Sequence, residues 1–226
     1  METPNWDPRS AEHWDNLVRQ PRMRPRFPHD HVVRFLMNHF RDADTSALRA
    51  LDIGVGSGRH TKLLCDLGFQ ASGVDISAEG LRHCADWLRS ARQTATLKQT
   101  DMGGLPFPEN HFDVAISYGV YNYADAASMK RAVSELHRVL RLGGLAFVML
   151  RTTDDYRVGK GTELETNTYR LEIADTNELA TVQHFLSEAD VPRVFAAFSE
   201  LRFEKSETTF NERRRLDSDW LITVKK

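Results

Sequence analysis

The stretch that decides the fold is Leu51-Asp52-Ile53-Gly54-Val55-Gly56-Ser57-Gly58-Arg59-His60. Its first residues are an apolar run that reads as a buried strand over 50–53. Its last residues lead into Thr61-Lys62-Leu63-Leu64-Cys65, which reads as a helix closed by Gly68, a residue suited to the left-handed C-terminal position. Three alternate glycines stand between strand and helix. There the backbone must turn sharply and come close to a ligand. A helix start also presents unpaired N–H groups, which favour a negatively charged or oxygen-rich group.

Working outward, residues 70–75 form a second strand with Asp75 at its tip. A carboxylate about 20 residues beyond such a turn can accept hydrogen bonds from both hydroxyls of a ribose. A dinucleotide fingerprint, Gly-x-Gly-x-x-Gly, needs its third glycine at position 59, where Arg59 stands. Asp52 before the glycines and Asp75 after them make the pattern more specific than glycine spacing alone.

The rest of the chain alternates short apolar strands with amphipathic helices, the pattern of a mostly parallel sheet covered on both faces. Residues 30–40 place Val32, Val33, Leu36, Met37 and Phe40 on one helical face. Ser77 caps a helix over 78–90, and Asp125 caps one that stops at Gly143-Gly144. Further strands are expected at 94–99, 112–117 and 145–150. Residues 152–186 then read as polar turns, including Gly159-Lys160-Gly161, with strand-like stretches at 168–173 and 179–185. A helix is expected at 187–198. Two β-patterned runs, 201–210 and 216–224, form a terminal hairpin at the sheet edge. The fold class is α/β, a doubly wound seven-stranded sheet with an antiparallel last strand. One domain is expected, divided into an N-terminal helical cap (1–48), a ligand-binding core (49–151), an insertion (152–186) and a closing helix and hairpin (187–226).

From about residue 49 to 151 these motifs resemble a class I, Rossmann-like S-adenosylmethionine (SAM) dependent methyltransferase of the small-molecule type. The resemblance implies that Asp52 and the turn Gly54-Gly56-Gly58 hold the methionine part of SAM, that Asp75 holds the ribose and that Ile76 packs on the adenine. Asp101 would meet the adenine amino group, with Met102 beside the ring, while Ser117 and Tyr118 line the methionine side. Leu105-Pro106-Phe107-Pro108 and Leu140-Arg141-Leu142-Gly143-Gly144 also fit, although the family usually has proline where Leu142 stands. No metal is expected.

SAM is a sulfonium cation already activated for attack at its methyl carbon, so the protein must chiefly align a nucleophile and exclude water. Tyr118, Tyr121, Asn122 and Tyr123 follow the fourth strand, on the rim where open α/β sheets place ligands, and serve either as contacts or as rim packing. Candidates for catalysis or acceptor binding are Tyr118, His184 in the insertion, and Arg151 at the end of the fifth strand. Arg151 either holds an acidic acceptor or forms a structural salt bridge. His60 is expected to hold the turn. Trp6 and Trp14 read as anchors of a lid or as core packing. Arg19, Arg22, Arg24 and Arg26 read as a solvated loop or a phosphate contact.

Composition sets the outer bounds. The 226 residues carry 41% hydrophobic and 27% charged residues and a net charge of -2, a globular balance without a basic face for nucleic acid. No apolar run approaches the roughly 20 residues of a membrane span. The first residues lack the order of a secretory signal, so a cytoplasmic location is expected. Cys65 and Cys84 are too few for a metal site and read as buried thiols. No Asn-Pro-Pro-aromatic motif follows the fourth strand; Ser117-Tyr118-Gly119-Val120 stands there. An oxygen or nitrogen of a small molecule is therefore the expected acceptor. The competing readings are a SAM-binding sensor or scaffold and, against Arg59, a nicotinamide-dependent oxidoreductase.

Overall fold

The computed structural model describes residues 8–174 and 176–226; Trp6, expected as a lid anchor, lies outside them. In chain order the elements begin with α1 (Pro8–Val18), α2 (Asp30–Phe40), β1 (Arg49–Ile53), α3 (Arg59–Asp66), β2 (Gln70–Asp75), α4 (Ala78–Ser90) and β3 (Thr96–Gln99). β4 (Phe112–Tyr118), α5 (Ala126–Val139) and β5 (Leu140–Arg151) complete the first half of the fold. β6 (Gly161–Glu165), β7 (Thr168–Leu171), β8 (Val182–His184), α6 (Val191–Val194), β9 (Glu200–Phe210) and β10 (Arg215–Lys225) follow.

Seven strands form one sheet in the order β3-β2-β1-β4-β5-β10-β9. β10 runs antiparallel to both of its neighbours, while β1 to β5 are mutually parallel. The doubly wound sheet with an antiparallel last strand is therefore present. The strand order reverses between β1 and β4, which opens a crevice at the carboxyl ends of these two strands.

Side chains alternate between two buried layers, as the two-residue period of a strand requires. Leu51, Ile53, Ala115, Val148 and Leu150 pack with Met129, Val133 and Leu136 of α5. Ala50, Val114, Ile116 and Phe147 pack instead with Val32, Phe35 and Leu36 of α2 and Leu64 of α3. Each large apolar side chain buried this way contributes roughly 1.5–3 kcal/mol. α2 thus belongs to the core layer, and only the segment before it is left to cover the crevice.

Four details differ from the sequence reading. Phe35 is buried alongside Val32 and Leu36, whereas Val33 is only partly covered. α5 ends at Val139, because Leu140 is already extended and pairs with Phe112; β5 therefore begins five residues before the expected start at 145. The helix expected at 187–198 is one turn, Val191–Val194, because Pro192 lacks an N–H and blocks a helix running through it. β6 was unexpected. With β7 and β8 it forms a separate three-stranded antiparallel sheet over the crevice end of the molecule.

Candidate active site

The glycine turn is built from three positions with different demands. All three lie in the left-handed region, with φ of 83° at Gly54, 53° at Gly56 and 96° at Gly58. A Cβ at Gly54 would stand 2.2 Å from Val120 Cγ2, and one at Gly58 would stand 2.7 Å from Cys84 Sγ. A Cβ at Gly56 would meet nothing within 4 Å. Gly54 and Gly58 thus serve packing, and Gly56 borders open space.

Asp75 receives the turn. Its Oδ2 accepts from Gly56 N at 2.7 Å and its Oδ1 from Ser77 N at 2.8 Å. Burial raises its pKa, opposed by these two N–H groups. Each carboxylate oxygen retains a second lone pair for a ligand hydroxyl. Asp52 lies beneath the turn and is 1% exposed. Its Oδ2 accepts from Thr61 Oγ1 at 2.6 Å, whereas Oδ1 is buried without a partner. Burial pushes the Asp52 carboxyl up to about 7 against the hydrogen bond from Thr61.

His60 ties the start of α3 to the start of α2. Its Nε2 accepts from His29 N at 3.2 Å, and burial pushes its pKa down to about 3, so the imidazole is neutral. Arg59 lies over the Tyr118 ring, 5.6 Å from its centroid. Where a dinucleotide turn needs glycine, this chain uses a side chain to brace the cavity wall.

α1 crosses the crevice as a cover. Asp15 Oδ1 accepts from Ser77 Oγ at 2.6 Å and from Glu79 N at 3.0 Å, tying α1 to the N-terminus of α4. Trp14 packs edge-on against Tyr123 at 4.8 Å, and His13 Nε2 lies 3.1 Å from Asn177 O. Ser57 Oγ donates to Pro25 O at 3.1 Å. Beneath lies a cavity of about 1120 Å³, slightly above the roughly 300–1,000 Å³ usual for one small ligand.

Residues 51–148 match the methyltransferase domain family. Over that stretch the chain is similar to a methyltransferase domain. An uncharacterised methyltransferase of Mycobacterium bovis is 35% identical over 120 residues, which are 53% of this chain and 46% of that protein. A ubiquinone/menaquinone biosynthesis C-methyltransferase of Shewanella halifaxensis is 29% identical over 109 residues, 45% of this chain and 42% of that one. The matched region thus spans about half the length of these curated relatives. A crystal structure of a SAM-dependent methyltransferase from Methanosarcina mazei superposes with a TM-score of 0.68 at 20% identity, covering 84% of this chain and 96% of that one. At that identity the likeness shows the fold.

Within the matched stretch, Gly54, Gly56, Asp75, Ile76, Asp101, Met102 and Tyr118 share the cavity wall. Asp52, Gly58 and Ser117 are set behind it. The donor set fits an adenosyl group carrying a cation: a carboxylate at the ribose position, open space at Gly56, and an orphaned buried acceptor on Asp52. Among the described residues one group has metal-ligand spacing, His29, Asp30 and His31. There the His29 side chain accepts from His31 N as the cap of α2 and lies against Asp30.

Two candidates are not brought to the cavity. Arg151 is held by Glu178 Oε1 at 2.6 Å and Gln183 Oε1 at 2.9 Å. The salt-bridged alternative therefore describes it, and its guanidinium is not open to an acidic acceptor. Arg157, also bound to Glu178, Asp155 and Asp217, completes this buried network. His184 Nδ1 lies 2.6 Å from Thr168 Oγ1, away from the cavity wall. That contact ties β8 to β7, while the small sheet is docked beside the start of α5 by His184 N donating to Asn122 O and Ala126 N donating to Glu165 Oε1. Residues the sequence did not point to include Asp15, Ser128, Arg131, Arg170 and Val182. All of these except Asp15 line the cavity, and none belongs to a recognisable motif.

Proposed function

We propose that this chain transfers a methyl group from SAM to an oxygen or nitrogen of a small molecule, releasing S-adenosylhomocysteine. The observation that carries the reading is one covered cavity with an adenosyl-type end and a second, separate end. The first end is formed by the glycine turn, Asp75 and Asp101. The second is formed by Tyr118, Tyr123, the first turn of α5 and the small sheet.

In this reading Asp75 accepts from the ribose hydroxyls, and Ile76 and Met102 flank the adenine near Asp101. The turn at Gly54 and Gly56 receives the methionine part. Asp52 and Ser117 support that end from behind the wall, and Gly58 lets the turn pack on Cys84. SAM supplies a methyl group already bonded to a cationic sulfur. The protein's share is alignment and exclusion of water, which the α1 cover provides. Tyr118 keeps its proton, because burial and the nearby Asp219 raise its pKa. It therefore serves as an aromatic wall and hydrogen-bond donor, not as a base. A covered cavity suits a small acceptor better than a nucleic acid. Free Cys65 and Cys84, whose thiols burial pushes up to about 11 and about 12, suit a reducing cytoplasm. No helix among the described residues is long and apolar enough to cross a membrane.

Incubation with isotope-labelled SAM and fractionated metabolites, followed by mass spectrometry, tests the reading. A labelled methyl on oxygen or nitrogen of a small product is expected. A label on carbon would correct the acceptor atom, and tight SAM binding without any turnover would favour the sensor.

A further inference from the structure

The acceptor end of the cavity carries a cation, Arg170, that no described residue answers. β7 and β8 pair with Thr168 opposite His184 and Arg170 opposite Val182. Cross-strand partners share a face, and so do residues two apart along a strand. Arg170 and Val182 therefore share a face of the small sheet with Thr168 and His184, at the end of that face that lines the cavity. The adjoining chain is held firmly: Ala180 adopts the left-handed conformation with φ of 65°, and its N–H donates to Leu171 O at 2.8 Å.

Every neighbouring arginine already has a partner. Arg151 and Arg157 are bound by Glu178, Asp155 and Asp217. Arg131 donates to Ser128 Oγ at 2.6 Å and lies near Asp125, and Arg59 lies over Tyr118. The carboxylates on the wall are engaged as well. Asp75 accepts from Gly56 N and Ser77 N, Asp101 from Gly103 N, and Asp125 from Ser128 N. The Arg170 guanidinium makes no hydrogen bond or ion pair with any described residue. A planar guanidinium fork facing a cavity matches an oxyanion with two coplanar acceptors.

Resting on the methyltransferase reading, we infer that the acceptor is an acidic small molecule whose carboxylate or phosphate group sits on Arg170 at the cavity mouth. The atom to be methylated then lies deeper, toward Tyr118. Arg170 is exposed and borders the cavity, so it stands where an incoming anion meets it first.

The test uses the full chain with labelled SAM and metabolite extract split by anion exchange into acidic and non-acidic fractions. Label is expected in the acidic fraction. Phosphatase treatment of that fraction beforehand abolishes the product if the anion is a phosphate, and chemical esterification abolishes it if the anion is a carboxylate. Arg170→Gln should raise KM for the acidic acceptor by about tenfold to a hundredfold, the loss of a charge-assisted contact. Arg170→Lys should recover part of it, and the Kd for SAM should stay within twofold in both variants. Label confined to the non-acidic fraction, an unchanged KM in Arg170→Gln, or no labelled product from a chain that binds SAM would each overturn the inference. Failure of the wild type to bind SAM would instead overturn the reading beneath it.

Discussion

Replacing Asp52 by asparagine should change the pH dependence of stability more than any other single substitution in the turn. Asp52 is 1% exposed, with one oxygen on Thr61 and the other without a partner. Burial raises its folded pKa to about 7, from the ordinary carboxylate value of 3.8. A carboxyl whose pKa is raised on folding binds its proton more tightly in the native state. It therefore leaves stability intact below the unfolded pKa and lowers it as pH rises toward the folded value. Between 3.8 and 7 the wild type loses about 1.4 kcal/mol per pH unit from this group, roughly 4 kcal/mol in all, and nothing further above 7. Asparagine keeps the acceptor for Thr61 but places an unpaired amide donor where Oδ1 lies, at a cost of roughly 1–3 kcal/mol. Asp52→Asn should lie within about 1.5 kcal/mol of the wild type at pH 5 and be the more stable protein at pH 8. Urea unfolding at half-unit steps from pH 5 to 8 measures it. The difference between the two proteins should change by about 3 kcal/mol over that range. Parallel curves, with the difference constant to within about 0.5 kcal/mol, would refute the reasoning that Asp52 is a charge held at the cost of desolvation.

Further predictions concern the glycine turn and the Glu178 network. Gly54→Ala forces a Cβ to 2.2 Å from Val120 Cγ2 and should lower stability by about 2–4 kcal/mol in urea. Gly56→Ala meets no protein atom within 4 Å; it should lose only about 1 kcal/mol of stability, yet bind SAM far more weakly because the methyl group enters the cavity. Glu178→Ala strands Arg151 and Arg157, which it holds through both carboxylate oxygens, and should cost about 3–5 kcal/mol by thermal unfolding. Glu178→Gln should cost less.

Much of this was legible in the sequence because it is local. The strands at 50–53, 70–75 and 112–118 announce themselves by apolar runs, and the glycine turn by spacing. Ser77 and Asp125 do cap their helices, accepting from Gly80 N and Ser128 N. Gly68 closes α3 with φ of 87°. What was not legible is non-local or hidden by exposure. β6 is exposed at four of its five residues, so no alternation marks it as a strand. The fate of Arg151 is decided by Glu178, 27 residues away in a region without motifs. The bond from Ser77 to Asp15 spans 62 residues, and neither side of it is distinctive alone. Arg170 reads as an ordinary polar residue until β8 pairs beside it and turns its face to the cavity.

The central claim is that the turn and Asp75 together seat SAM. Titration calorimetry of SAM into the wild type and into Asp75→Ala, with unfolding curves as a control for folding, tests it most directly. Loss of two charge-assisted hydrogen bonds from ribose hydroxyls, at roughly 1.5–3 kcal/mol each, should weaken binding by about a hundredfold or more. A folded Asp75→Ala protein that binds SAM as tightly as the wild type would contradict the account.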